Sequence, residues 1–239
     1  QDFAEDTFRT LTAVDSVVIV IDSAKGVETQ TRRLMQVCRM RKTPVMVFIN
    51  KMDREGKDPF DLMDEVENEL GIHVRPLSWP INSGQRFKGV YNIFQSTLDL
   101  YTPNKTQVTE SIRFDNVSDP QIAQLVGESD ALKLQEDLEM IEGVYNPFSQ
   151  EEYLAGELAP VFFGSALNTF GVKELLECFV QIAPSPRPVE AIERKVEPME
   201  DGFTAFCFKI HANMDPNPRT GIAFFRICSG KCVRDTYYE

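Results

Sequence analysis

The chain has 239 residues, enough for one large domain or one and a half ordinary ones, and is 42% hydrophobic and 26% charged, as in a globular protein with a sizeable core. No apolar run approaches the ~20 residues that span a bilayer. No basic-then-apolar signal segment opens the sequence, and five irregularly spaced cysteines suggest free thiols rather than a disulfide framework. A net charge of −12 argues against a broad electrostatic grip on nucleic acid. The charge is uneven: residues 96–160 hold 13 acidic and 3 basic side chains, which leaves −2 for the rest. That segment reads either as a solvated surface or as a subdomain facing a basic protein partner.

In chain order, SVVIVID (16–22) and PVMVFIN (44–50) are unbroken Val/Ile/Phe runs of strand length. Runs without alternation fit strands of a parallel sheet covered on both faces. The spacing of Leu34, Val37, Cys38 and Arg41 predicts a helix over 29–42 between them, hence a βαβ unit with a right-handed crossover. A second helix has Asp58 as its cap, Pro59 in its first turn, Phe60, Met63, Val66 and Leu70 as its apolar face, and Gly71 as its stop. Short strand-like pieces follow from Val74 to about Tyr101. Ser129 to Glu142 predicts another amphipathic helix, with Leu134, Leu138 and Ile141 on one stripe. PVFFGSA (160–166) repeats the pattern of a buried run ending in small polar residues, and a helix over Val172 to Ile182 comes after it. APSPRP (183–188) marks the clearest domain boundary. Beyond it, FTAFCFKIHA and GIAFFRICSG read as strands of an all-β module.

Open α/β sheets bind ligands outside the carboxyl ends of their strands. FINKMD (48–53) and Gly164-Ser165-Ala166 both fall at such ends. Their chemistry fits a guanine base. The Asp53 carboxylate can accept from N1–H and from the 2-amino group together. The stem of Lys51 can lie over the ring while its ammonium stays wet. Asn50 can bond the far edge and tie neighbouring loops, and backbone N–H groups around Ser165 and Ala166 can donate to O6. Adenine reverses this pattern and would leave Asp53 unpaired. Taken alone, N-K-x-D also fits a polar turn; a second strand end of the same kind weakens that reading.

These residues resemble the two guanine-specificity motifs of the translational GTPases. The likeness also runs through EDTFRTLTAVDS (5–16), AKGVE (24–28), LMDEVENEL (62–70), WPI (79–81), FKGVYN (87–92) and ANMDP (212–216). The text is most similar to the group of bacterial peptide chain release factor three. WPI, FKGVYN and ANMDP separate it from elongation factor G and the ribosomal protection proteins, which share the nucleotide motifs.

The resemblance implies a mostly parallel α/β GTPase domain over 1–186 with an α+β insertion at about 54–159, a linker over 187–198, and the start of a translation-factor β-barrel over 199–239. For the full-length protein it implies GTP/GDP and Mg²⁺ as cofactors, GTP hydrolysis, a cytoplasmic location and no membrane. The implied partners are the ribosome, through rRNA and stalk proteins, and the class I release factors that it helps to remove. Asn50, Lys51, Asp53, Ser165 and Ala166 are the expected nucleotide-binding residues. No metal ligand is assigned. The Gly-rich phosphate loop G-x-x-x-x-G-K-[ST] does not occur in the 239 residues. QDF (1–3) resembles the text directly after the family's catalytic histidine. The chain therefore reads as a fragment that starts after its catalytic centre, carries no catalytic residue and does not hydrolyse GTP alone. Two alternatives stay open: an elongation-factor-G-like GTPase, or a non-catalytic ribosome-binding module.

Other residues carry competing readings. Cys207, His211, Cys228 and Cys232 form a C-x₃-H…C-x₃-C pattern, either a zinc set or same-face neighbours on strands. His73 reads as a surface histidine, Trp79 as core, and Glu65, Glu67 and Glu69 as ordinary helix acids. Arg219 and Arg226 read as solvated arginines of a barrel strand.

Overall fold

The computed structural model describes residues 2–101, 111–215 and 220–238. Contacts divide the chain into two units, residues 16–183 and residues 1–15 with 184–239. Helix α1 (Asp2–Leu11) opens the chain and belongs to the smaller unit.

The larger unit is built on a parallel sheet. Strands β1 (Val17–Asp22) and β2 (Val45–Asn50) pair in register from Val17↔Val45 to Asp22↔Asn50, with helix α2 (Thr29–Met40) as the crossover. Helix α3 (Pro59–Leu70) follows. The Asp58 carboxylate accepts from the Phe60 N–H at 2.8 Å, and Gly71 ends the helix in the left-handed region at φ 58°. Strand β3 (His73–Pro76) leads directly into β4 (Ser78–Ile81), which leaves the parallel sheet. β4 starts a four-stranded antiparallel sheet with β5 (Gly89–Asn92), β6 (Thr97–Leu100) and β7 (Ile112–Arg113). Helices α4 (Pro120–Val126), α5 (Glu128–Val144) and α6 (Gln150–Ala155) come next. The chain returns as β8 (Leu158–Phe163), which inserts between β2 and β3 to give the order β1-β2-β8-β3. Helix α7 (Val172–Ile182) closes the unit.

β2 and β8 are the central strands. Val45 to Ile49 and Leu158 to Phe163 are all buried, as unbroken apolar runs require. The run at β1 behaves differently. It is the edge strand, and Val18 and Val20 are 40% and 57% exposed, so the expected cover on both faces is absent within this unit. The stretch 54–159 also divides. Its α3 and β3 belong with the parallel sheet, where β3 pairs with β8 from His73↔Leu158 to Pro76↔Val161, whereas β4 to β7 form the separate antiparallel sheet. Trp79 is 1% exposed and its indole N–H donates to Asp137 Oδ2 at 2.9 Å. His73 is exposed beside Glu67.

Besides α1, the smaller unit holds short strands β9 (Val189–Glu190) and β10 (Lys195–Val196) and the antiparallel pair β11 (Thr204–Asp215) and β12 (Thr220–Ser229). Arg226 is not a solvated arginine. Its guanidinium donates to the Ala13 carbonyl at 2.7 Å and to Asp15 Oδ2 at 2.5 Å. The reason is local: the chain just after α1 supplies a carbonyl and a carboxylate to one planar donor fork. Arg219 and Pro216 of ANMDP lie outside the described residues. Cys207 and His211 on β11 face Phe225 and Ile222 in register, not Cys228 or Cys232.

Candidate functional site

The carboxyl ends of three parallel strands, β1, β2 and β8, converge on residues 22–23, 50–53 and 164–168. Backbone bonds fix the turn after β2. The Asn50 carbonyl accepts from Ser23 N–H at 2.9 Å, the Lys51 carbonyl from Ser23 Oγ at 3.1 Å and from Arg54 N–H at 2.9 Å, and the Met52 carbonyl from Gly84 N–H at 2.9 Å. Met52 N–H donates to the Gly164 carbonyl at 3.0 Å, and its side chain is fully buried. Lys51 takes a left-handed conformation at φ 71°, a strained choice for a residue with a Cβ. Its N–H is held by Asn50 Oδ1 at 2.8 Å.

Asn50 joins the two strand ends. Its Oδ1 also accepts from the Ala166 N–H at 2.8 Å. The loop after β8 is tied at its neck, because Ser165 and Phe170 exchange both backbone bonds at 2.9 Å. Gly164 and Gly171 face each other there. A Cβ on Gly164 would collide with the Phe170 carbonyl, and one on Gly171 with the Phe163 carbonyl, so both positions need glycine. Phe170 packs on Phe87 and Tyr101, with ring centroids 5.6 and 5.5 Å apart, which anchors the loop from the apolar side.

The five residues singled out in the sequence are therefore brought together. Two details differ from expectation. Ser165 N–H is committed to Phe170 and Ala166 N–H to Asn50, so neither donor points at an empty position. The Asn50 oxygen occupies the place at Ala166 where a ligand acceptor would compete. Asp53 is half-buried, and one of its oxygens accepts from the Asn168 amide at 3.2 Å.

Two participants escaped the sequence reading. Asp22, in register with Asn50, takes the Lys51 ammonium on Oδ2 at 2.6 Å and the Ala24 N–H on Oδ1 at 2.9 Å. The hydrogen bond from Lys51 holds the Asp22 carboxyl below the usual carboxylate range, against the opposing effect of burial. Its position at the end of the neighbouring parallel strand was the available signal. Asn168, three residues past Ser165, carried none. Tyr101 stands on the apolar side; burial, and then the Asp53 charge, push its phenol up.

Known proteins share this fold. The Elongation factor Tu GTP binding domain family matches residues 1–185. The chain belongs to this family. It is thus a domain of the translational GTPases, and its mixed α/β fold with a parallel sheet is theirs. A crystal structure of ttk003000868 from Thermus thermophilus superposes with a TM-score of 0.66 over 96% of this chain at 21% identity. At that identity the likeness speaks for the fold alone. The chain spans 34% of the length of that protein. The strands after residue 199 are consistent with the start of the β-barrel that follows the GTP-binding domain in such factors. No helix among the described residues is long and apolar enough to cross a membrane.

Proposed function

We propose that residues 50–53 and 164–166 read the guanine base of GTP or GDP, in a factor that uses the nucleotide on the ribosome to help class I release factors leave after termination. One observation carries the base reading: a carboxylate, a lysine stem and an amide at the end of β2 meet the Ser165–Ala166 backbone at the end of β8. Asp53 accepts from N1–H and the 2-amino group. The stem of Lys51, its ammonium parked on Asp22, covers the base. The Ala166 N–H turns from Asn50 to O6. The termination role is supported by WPI, FKGVYN and ANMDP, the texts that distinguish the release-factor group. GTP, Mg²⁺, ribosomal stalk proteins and rRNA belong to this same proposal. The 54–159 stretch, with its acidic surface, is the part we assign to a protein partner.

The 239 residues contain the base contacts and no Gly-rich phosphate-loop pattern. Backbone N–H groups and a lysine on the phosphates supply much of the affinity in P-loop sites. Titration of this chain with GDP and Mg²⁺ is expected to show weak binding and no turnover of GTP. Asp53→Asn is expected to abolish GDP binding and to admit xanthosine diphosphate, whose 2-oxo group accepts from the new amide. Tight GDP binding that ignores Asp53 would sink the guanine reading.

A further inference from the structure

Asn168 belongs to neither strand-end motif, yet it is a side chain that joins them. It ends a single 3₁₀ turn, Ala166–Asn168, whose close is set by Thr169 at φ 53° and by the Asn168 N–H donating to the Ser165 carbonyl at 3.1 Å. From there Nδ2 reaches two acceptors, Asp53 Oδ2 at 3.2 Å and Ser165 Oγ at 3.0 Å. An amide nitrogen has two hydrogens, so both are used. Ser165 is 1% exposed, which makes it a fixed anchor for one end of this bridge.

A carboxylate turns freely about its last torsion, which has broad wells. Bidentate recognition of N1–H and the 2-amino group requires both oxygens in the plane of the base. A third donor on one oxygen leaves enough lone pairs for both base contacts, because an ionised carboxylate accepts at about four positions. We propose that Asn168 is a positioning residue for base recognition: by bridging Asp53 to Ser165, its amide sets the plane of the Asp53 carboxylate and so determines how strongly the site reads the 2-amino group. This rests on the guanine reading of the site.

Inosine diphosphate provides the test, because its base keeps N1–H and O6 but lacks the 2-amino group. NMR titrations of this chain with GDP and with IDP give a preference ratio. A hydrogen bond to a charged acceptor makes the unmodified ratio roughly tenfold or more. Asn168→Ala is expected to cut that preference several-fold, mostly by weakening GDP. Asn168→Leu, nearly isosteric and without a donor, should do the same and covers the case in which the alanine variant is unstable. If GDP and IDP weaken equally in the folded variant, or neither changes, Asn168 only supports the loop and the positioning role is wrong. If the unmodified chain shows no preference for GDP, or Asp53→Ala leaves the preference intact, the guanine reading itself fails along with it.

Discussion

Asp22 and Lys51 form an ion pair beside the turn that the backbone bonds fix. Lys51 would otherwise be a mobile side chain on a strained residue. The Asp22 carboxylate holds its ammonium at the end of β1, 2.6 Å from Oδ2. The lysine is 44% exposed and the aspartate 17%, so solvent screening limits the pair to about 0.5–1 kcal/mol. The folded Asp22 carboxyl titrates below its unfolded value. Its contribution is therefore present above about pH 4 and is lost as pH falls through the folded value. Asp22→Asn should lower the denaturant midpoint slightly at pH 7 and make no difference at pH 2. An equal loss at both pH values would mean that the pair contributes through packing rather than charge.

At the scale of elements, the contact between β6 and α7 is a place where burial and polarity conflict. Asp99 on β6 is 3% exposed, and the Ser111 hydroxyl is the hydrogen-bonding group beside its carboxylate. Glu174 on α7 is 5% exposed and feels the Asp99 charge, with Lys173 and Glu177 beside it. Burial raises both carboxyls; the nearby Ser111 hydroxyl and Lys173 favour the charged form of Asp99 but do not offset it. A raised carboxyl stabilises the fold below the unfolded value near pH 4, and that contribution disappears as pH rises through the folded value. Asp99→Asn removes the cost of ionising a buried group, about 1–3 kcal/mol. It should raise the melting temperature at pH 8 by a few degrees and by almost nothing at pH 4. A variant less stable than the parent at pH 8 would show that the charge is matched by a partner.

The same scale shows what was legible in the sequence. β2 and β8 could be read from their apolar runs, and the strand-end rule then placed Asn50 and Ser165 together. β1 has an equally apolar run but lies at the edge, because composition records what a strand is made of and not which neighbours it finds. β3 could not be read as part of the parallel sheet. It has only four residues, HVRP, and its Arg75 is buried because the side chain reaches the Tyr145 carbonyl and Glu142. Asn168 was hidden for a similar reason: its partner Asp53 is 115 residues away.

Across the whole molecule the two units differ in how they hold themselves together. Residues 16–183 enclose a core through β2, β8 and the helices, with Phe162, Tyr153, Met46 and Cys178 at its centre. In the other unit the β11–β12 pair leaves Ile210, Ile222, Phe224, Phe225 and Ile227 between 39% and 66% exposed. A two-stranded sheet is marginal by itself in water. Hydrogen exchange should therefore find the slowest amides in β2 and β8 and much faster ones in β11 and β12. Equal protection in both units would contradict this view, and concentration-dependent protection of β12 would point to self-association through its apolar residues.

The paired glycines at the neck of the loop after β8 have a consequence for how this protein can vary or be altered. Gly164 and Gly171 are locked against each other's flanking carbonyls, and Ser165 and Phe170 close the ring between them. Length and bulk can be added only at the far side, where Leu167 is 80% exposed. That position is a natural handle: a dye or tag attached there would ride on the loop after β8 while leaving the knot that shapes it untouched.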